Sequence, residues 1–108
     1  MHLHNFILGL VVLIGCVSCA DKRLDEHAVS GGDIEVRWWT TSAITSSQGH
    51  VEVAKGDDVL PIARFFHGGI NDVVISQDSI ILTKGGLGVI DFVEDSVFGY
   101  WVILDTIP

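Results

Sequence analysis

The chain has 108 residues, a formal net charge of −8 and two cysteines. This length accommodates one domain at most. Because only 6 Lys plus Arg stand against 14 Asp plus Glu, the composition disfavours nucleic acid as a partner, whose affinity comes mainly from neutralised phosphates. Anionic lipid headgroups would also repel the chain. Covalent lipid, rather than a basic patch, would have to hold it at a membrane.

The N-terminal segment is the first feature in chain order. Residues 6–15 form an uninterrupted apolar run, and charged side chains begin at Asp21. As a helix, this run would cover about half of the ~30 Å hydrocarbon core of a bilayer. Its length therefore predicts the hydrophobic region of a secretory signal rather than a membrane-spanning helix. A plain cleaved signal peptide or an uncleaved hydrophobic anchor is the alternative.

The motif Leu13-Ile14-Gly15-Cys16 ends this run. It resembles the lipobox of bacterial lipoproteins, in which a branched apolar residue, a second apolar or small residue and a small residue precede a cysteine. The resemblance implies cleavage before Cys16, a diacylglyceryl group on its thiol and acylation of the new amino terminus. Several acyl chains, at ~0.8 kcal/mol per buried methylene, anchor a domain stably. Val17 stands where an Asp usually retains such proteins at the inner membrane, so the resemblance implies the outer membrane of a bacterial envelope.

The second cysteine, Cys19, is a rival attachment site, but Cys16 occupies the position before it where the lipobox prefers Leu. Lipidation of Cys16 leaves a single thiol and no internal disulfide. Two other interpretations stay open for this Cys-x-x-Cys pair. A redox pair would need a βαβ setting, and a zinc site would need further ligands that the sequence does not supply nearby.

Residues 16–32 are predicted to be the lipidated cysteine and a flexible tether, because a mixed-charge run leads into small residues at 28–32. A short helix over residues 24–29 is the alternative. A β-rich globular domain is predicted over residues 33–108, after a signal peptide over residues 1–15.

Within this domain, residues 34–38 and 50–53 alternate apolar with polar side chains, as half-buried strands do. Residues 58–67 are ambiguous. Their alternation favours a strand, but Asp58 would also cap a two-turn helix that ends at Gly68.

The second half of the domain contains further short apolar runs. Residues 73–75 and 80–83 flank a turn and predict a hairpin. Residues 97–104 are apolar almost throughout, which predicts a central last strand covered on both faces. Short strands at spacings of about ten residues predict an all-β fold, a small antiparallel β-sandwich or barrel. The alternative is an α+β fold, one sheet with a short helix near residues 58–67.

The sequence contains no motif typical of a hydrolase, a nucleotide-binding protein or a metalloprotease, and it predicts no catalytic residue and no cofactor. His50 and His67 are candidate metal ligands or bases. The favoured interpretation is that they are two loop histidines that lie apart, because a zinc site needs three or four ligands. Asp91, Glu94 and Asp95 carry the oxygen ligands that calcium prefers, but their spacing is not that of an EF-hand, so a solvated turn is favoured.

Three pairs of adjacent aromatic residues are the strongest binding candidates. They are Trp38-Trp39, Phe65-Phe66 and Tyr100-Trp101. Neighbouring side chains of a strand point to opposite faces, so each pair is expected to send one ring inward and one outward. Outward rings that cluster would make an apolar patch suited to a partner protein or a sugar ring. Burial of both faces is the alternative, because aromatic residues more often belong to a core.

These features predict a noncatalytic binding or structural module, anchored to the envelope by lipid, whose partner is an envelope protein or a glycan. Two alternatives belong to other classes. A small hydrolase or metal-dependent enzyme would need His50 or His67 to meet carboxylates. A structural lipoprotein would assemble with itself through exposed aromatic side chains.

Overall fold

The computed structural model describes residues 23–42, 47–86 and 88–107. These residues form strands and no helix. The strands are β1 (Arg23–Gly31), β2 (Ile34–Ser42), β3 (Ser47–Lys55), β4 (Asp58–Phe66), β5 (Asp72–Ser76), β6 (Ser79–Gly85), β7 (Val89–Val93), β8 (Ser96–Val97) and β9 (Tyr100–Ile107). The predicted all-β class is confirmed. The signal peptide, Cys16 and Cys19 lie outside the described residues.

The strands form two sheets that pack against each other as a sandwich. The first sheet has the order β1-β2-β3-β4-β7 and is antiparallel throughout. The predicted small β-sandwich is confirmed. The second sheet has the order β5-β6-β9-β8 and is mixed, because β6 pairs with β9 in parallel, whereas the sequence predicted antiparallel strands. Between β6 and β9 the chain crosses to the first sheet as β7 and returns. A crossover of this kind is what parallel pairing requires.

The core lies between the two sheets and takes alternate residues from each. Its largest fully buried side chains are Phe65, Ile62, Ile80, Leu82, Val36, Val51 and Val53. Full burial of one such side chain contributes about 1.5–3 kcal/mol. The alternation seen in residues 34–38 and 50–53 therefore marks two strands that send one face into this core.

Residues 23–31, which the sequence placed in a flexible tether, form β1 instead. The strand pairs with β2 from Arg23 opposite Thr41 to Gly31 opposite Ile34. Most of its side chains are exposed, and Val29 packs against the core. A strand at the edge of a sheet is held largely by its backbone hydrogen bonds, so its side chains need not alternate. The folded domain therefore begins by Arg23 rather than at residue 33.

Residues 58–66 form β4, so the strand interpretation is confirmed and the helix near residues 58–67 is wrong. Two features hid the strand. Opposite β3, the register shifts between Val51 and Glu52, so β4 carries an extra residue there and the alternation breaks. Pro61 lies in the half of β4 that pairs with β3 alone. Proline is tolerated there because its missing N–H faces no neighbouring strand.

The last apolar run is divided by a turn at Phe98 and Gly99, whose φ angles are 50° and 83°, so Val97 belongs to β8 and β9 begins at Tyr100. The prediction that this run is covered on both faces is wrong. Alternate residues of β9 face the core, while Trp101 and Ile103 are 60% and 45% exposed. No described element covers the outer face of the second sheet.

Candidate functional site

Each aromatic pair divides between the two faces of its strand, as predicted. The members that face inward are Trp38, Phe65 and Tyr100, of which the first two are buried and the third is partly buried. The outward members are Trp39, Phe66 and Trp101. The first two lie on the first sheet and the third lies on the second sheet. The outward rings are therefore divided between opposite faces of the sandwich and do not form one patch.

A row of large side chains crosses the outer face of the first sheet, and we call it the outer row. Cross-strand pairing places Trp39 opposite His50, His50 opposite Arg64 and Arg64 opposite Phe92. Arg23 of β1 extends the row, because its guanidinium lies over the Trp39 ring. The outer row thus consists of one residue from each of the five strands.

Trp39 is held between its two neighbours in the outer row. The guanidinium carbon of Arg23 lies 3.8 Å from the centroid of the Trp39 ring. The Trp39 and His50 rings are stacked, with centroids 5.4 Å apart and planes inclined by 11°. Because β1 and β3 flank β2 on opposite sides, these groups approach the indole from opposite directions. A cation over an aromatic face contributes about 0.5–1 kcal/mol at an exposed site.

Arg64 occupies the other half of the outer row. Its Nε donates a hydrogen bond to Oδ2 of Asp91 at 2.6 Å, and its guanidinium carbon lies 5.7 Å from the centroid of the Phe92 ring and 5.9 Å from that of Phe66. Asp91 is the extra residue at a register shift between β4 and β7. Ion pairs this exposed contribute about 0–1 kcal/mol. The main effect of this pair is to fix the direction of the Arg64 side chain.

Trp39 separates two shallow depressions on this face. One, of about 230 Å³, is bounded by the first half of β1 and by β2, and the other, of about 200 Å³, is bounded by β2, β3, β4 and β7. Both volumes are below the range of about 300–1,000 Å³ that is usual for small-molecule pockets. Two small depressions beside one indole are suited to single protruding groups of a larger ligand.

Acidic side chains next to the outer row contact Arg23 and the neighbouring Arg37. A carboxylate oxygen of Glu52, whose side chain is 15% exposed, lies 3.9 Å from Arg23 and 3.5 Å from Arg37. Arg37 also pairs with Glu35. The hydrogen bond that Arg37 donates to Glu35, followed by the charges of Glu35 and Glu52, raises the pKa of Arg37. The guanidinium groups are thus charged and held in place.

The two candidate histidines lie in different settings. His50 belongs to the outer row, and its Nε2 lies 3.0 Å from Oγ1 of Thr41. This contact resembles a nucleophile beside a base, but Thr41 is only 7% exposed, which leaves a substrate little access to the hydroxyl. His67 follows β4 in the left-handed region, at a φ of 61°. Among the described residues, no group of three or more His, Cys, Asp or Glu side chains is arranged to hold a metal ion.

Comparison of the chain with protein-family models, with curated proteins and with solved structures finds no significant match. In the part of the chain that the structure describes, no helix has the length and hydropathy to cross a membrane. Sequence reasoning singled out Trp39 and His50 but missed Arg23, Arg64 and Phe92. Each of these three side chains is unremarkable in its own strand, and only the cross-strand register brings them into one row.

Proposed function

We propose that this chain is a small lipoprotein of a bacterial cell envelope, anchored through lipid on Cys16, whose β-sandwich is a noncatalytic binding module. The lipobox-like motif and the short apolar run before it support the anchor. The outer row carries the proposal of binding. Its five side chains, drawn from five strands, form a surface of exposed arginines and partly exposed tryptophan, histidine and phenylalanine rings, which the buried core does not require.

A protein is the partner that this surface suits best. Tryptophan and arginine are enriched among the residues that dominate binding energy at protein interfaces. A sugar ring usually needs a free aromatic face, but Arg23 and His50 approach the Trp39 indole from both sides. A glycan would therefore have to displace the Arg23 guanidinium before it could stack.

Photocrosslinking in intact cells tests the binding proposal. A photoreactive amino acid at position 61, which is exposed and borders the second depression, is expected to capture one envelope protein. Trp39→Ala is expected to weaken this complex about 30-fold, because a tryptophan hot spot is worth about 2 kcal/mol or more. Trp101→Ala, which removes an exposed tryptophan from the other sheet, is the matched control. A crosslink that is insensitive to Trp39→Ala would count against the outer row.

Arg23→Ala separates the two partner classes. Loss of the guanidinium uncovers one face of the Trp39 indole, so a glycan that stacks there would bind more tightly to the variant. A protein that uses the arginine would bind less tightly. The measurement is titration of wild type and variant with the captured protein and, in parallel, with purified envelope glycans.

Intact mass spectrometry of membrane and soluble fractions tests the anchor. Wild type is expected in the membrane fraction with diacylglyceryl mass on Cys16, and Cys16→Ser is expected to lose both. A wild-type protein that is soluble, or that keeps Met1 and carries no lipid, would refute the proposed anchor.

Self-assembly is a second candidate function, and the outer face of the second sheet favours it. Val74, Ile81 and Ile103 lie side by side across β5, β6 and β9, and Trp101 is exposed on the same face. Sedimentation at increasing concentration tests it. A mass that rises in wild type but not in Trp101→Thr would support assembly, and a monomer throughout would refute it.

A further inference from the structure

The two ends of the sandwich differ in charge. The end of the sandwich at which a turn joins β1 to β2 is called the acidic end. The turns that meet there, or in that half of the sandwich, carry most of the turn carboxylates. They are Asp33 between β1 and β2, Asp57 between β3 and β4 with Asp58 at the start of β4, Asp78 between β5 and β6, and Glu94 and Asp95 between β7 and β8. Lys55 offsets one of them, through its ion pair with Asp33 at 3.2 Å.

We call the opposite end, where β1 begins, the entry end. Its described connections, residues 67–71 and Gly86 and Gly88, contain no acidic residue. Among the described residues at this end, the large apolar side chains of Leu24, Val89, Ile90 and Ile107 are exposed. The carboxylates nearest this end are Asp25 and Glu26 of β1, beside Leu24, and Asp72 and Asp105 of the second sheet. Glu26 lies 3.9 Å from Arg23. Asp72 and Asp105 both pair with Thr83, two residues in from the pair formed by Gly85 and Ile107.

Chain length limits how the domain can stand relative to an anchor on Cys16. Seven Cα–Cα steps separate Cys16 from Arg23, and they span at most about 25 Å. The nine residues of β1 extend the domain by about 30 Å in the other direction. The segment between Cys16 and Arg23 is therefore shorter than the domain. Because it joins the domain at the entry end, it keeps that end close to the bilayer.

Electrostatics favour the same orientation. Anionic headgroups repel carboxylates, and the repulsion acts over a Debye length of about 8–10 Å. A domain with its acidic end outward places the turn carboxylates beyond this distance. Exposed apolar side chains at the entry end gain by leaving water for the boundary between headgroups and acyl chains.

We propose that the entry end is a docking surface for the lipid bilayer, with Leu24, Val89, Ile90 and Ile107 as the contacting side chains and the acidic end facing away. This inference rests on the proposed anchor at Cys16. It has a consequence for the binding module. The face of the first sheet then stands roughly upright on the membrane, so the outer row, which crosses the strands, runs along the membrane surface and is open to partners from the side.

Fluorescence quenching in vesicles tests the orientation. The full chain with Cys19→Ser is prepared from a bacterial membrane with a single added thiol, either Val89→Cys at the entry end or Asp57→Cys at the acidic end. Both positions are exposed. An environment-sensitive dye is attached, and the protein is reconstituted in phosphatidylcholine vesicles that contain phosphatidylglycerol and a headgroup spin label. The dye at position 89 is expected to be quenched several-fold more than the dye at position 57.

The outcomes separate the docking surface from the anchor, because the mass of the same samples reports the lipid on Cys16. Equal quenching at the two positions, or stronger quenching at position 57, in a lipidated protein overturns the docking surface and leaves the anchor standing. A protein without lipid that floats with the vesicles and is quenched at position 89 overturns only the anchor chemistry. A protein without lipid that does not float overturns both.

Discussion

Gly49→Ala is expected to destabilise the domain, because β3 and the connection after β4 approach each other at this residue. An alanine Cβ at position 49 would lie 2.6 Å from the carbonyl oxygen of Gly68 and 2.6 Å from Cα of Gly69. Comfortable contacts between carbon atoms lie at about 3.5–4.0 Å, so the two backbone segments would have to separate by about 1 Å. Overpacking of this kind costs about 1–3 kcal/mol.

Thermal and urea unfolding, followed by circular dichroism, measure this cost. For a domain of this size, each kcal/mol lowers the Tm by about 4–8 °C. Gly31→Ala is the matched control, because its Cβ would lie 3.1 Å from the side chain of Ile75, a contact that a shift of a few tenths of an ångström relieves, whereas the Gly49 clash is with backbone at 2.6 Å. We expect a clear loss in the first variant and a small change in the second. A Gly49→Ala domain as stable as Gly31→Ala would refute this packing.

Three further outcomes are expected. Trp38→Ala should lower the free energy of unfolding by about 3–5 kcal/mol, as large core truncations do. Trp101→Ala should change it by no more than about 0.5 kcal/mol. Equal effects of the two variants in urea unfolding would contradict the assignment of Trp38 to the core and Trp101 to the surface. Hydrogen bonds to Asp33 from Lys55 and then Tyr100 lower its pKa below the ordinary 3.8, so its stabilising effect is complete above pH 3.8 and is lost as the pH falls through the lowered value. Asp33→Asn should therefore flatten the acid limb of the stability profile, and an unchanged limb would contradict this. Asp33→Glu is the control that keeps the charge.

The aromatic pairs show how far the sequence alone can be followed. Alternation along a strand determines that Trp38 and Trp39 face opposite ways, and this prediction holds for all three pairs. It does not determine which member faces inward. Alternation shows that neighbouring side chains point to opposite faces of a strand, but it does not show which face is covered. It also says nothing about which strand lies alongside, so the partners of Trp39 on β1 and β3 could not be derived.

The candidate site depends on that missing register. Arg23 was predicted to lie in a tether, and Arg64 lies in a strand whose alternation is broken by a register shift. Neither residue carries a local signal of function. Their place in the outer row follows from pairing between strands that are far apart in sequence, which short-range patterns do not encode.

The sequence by itself determined the all-β class, the hairpin between β5 and β6 and the division of each aromatic pair, because these depend on local periodicity and turn residues. For residues 58–66 it favoured a strand without excluding a helix. Tertiary structure decided the rest. It placed residues 23–31 in an edge strand held by backbone pairing, it exposed one face of β9, and it set β6 and β9 in parallel. Each of these depends on which surfaces are covered by strands that are distant in sequence. The pattern of apolar and polar residues along a strand is the same whether or not a neighbour covers it.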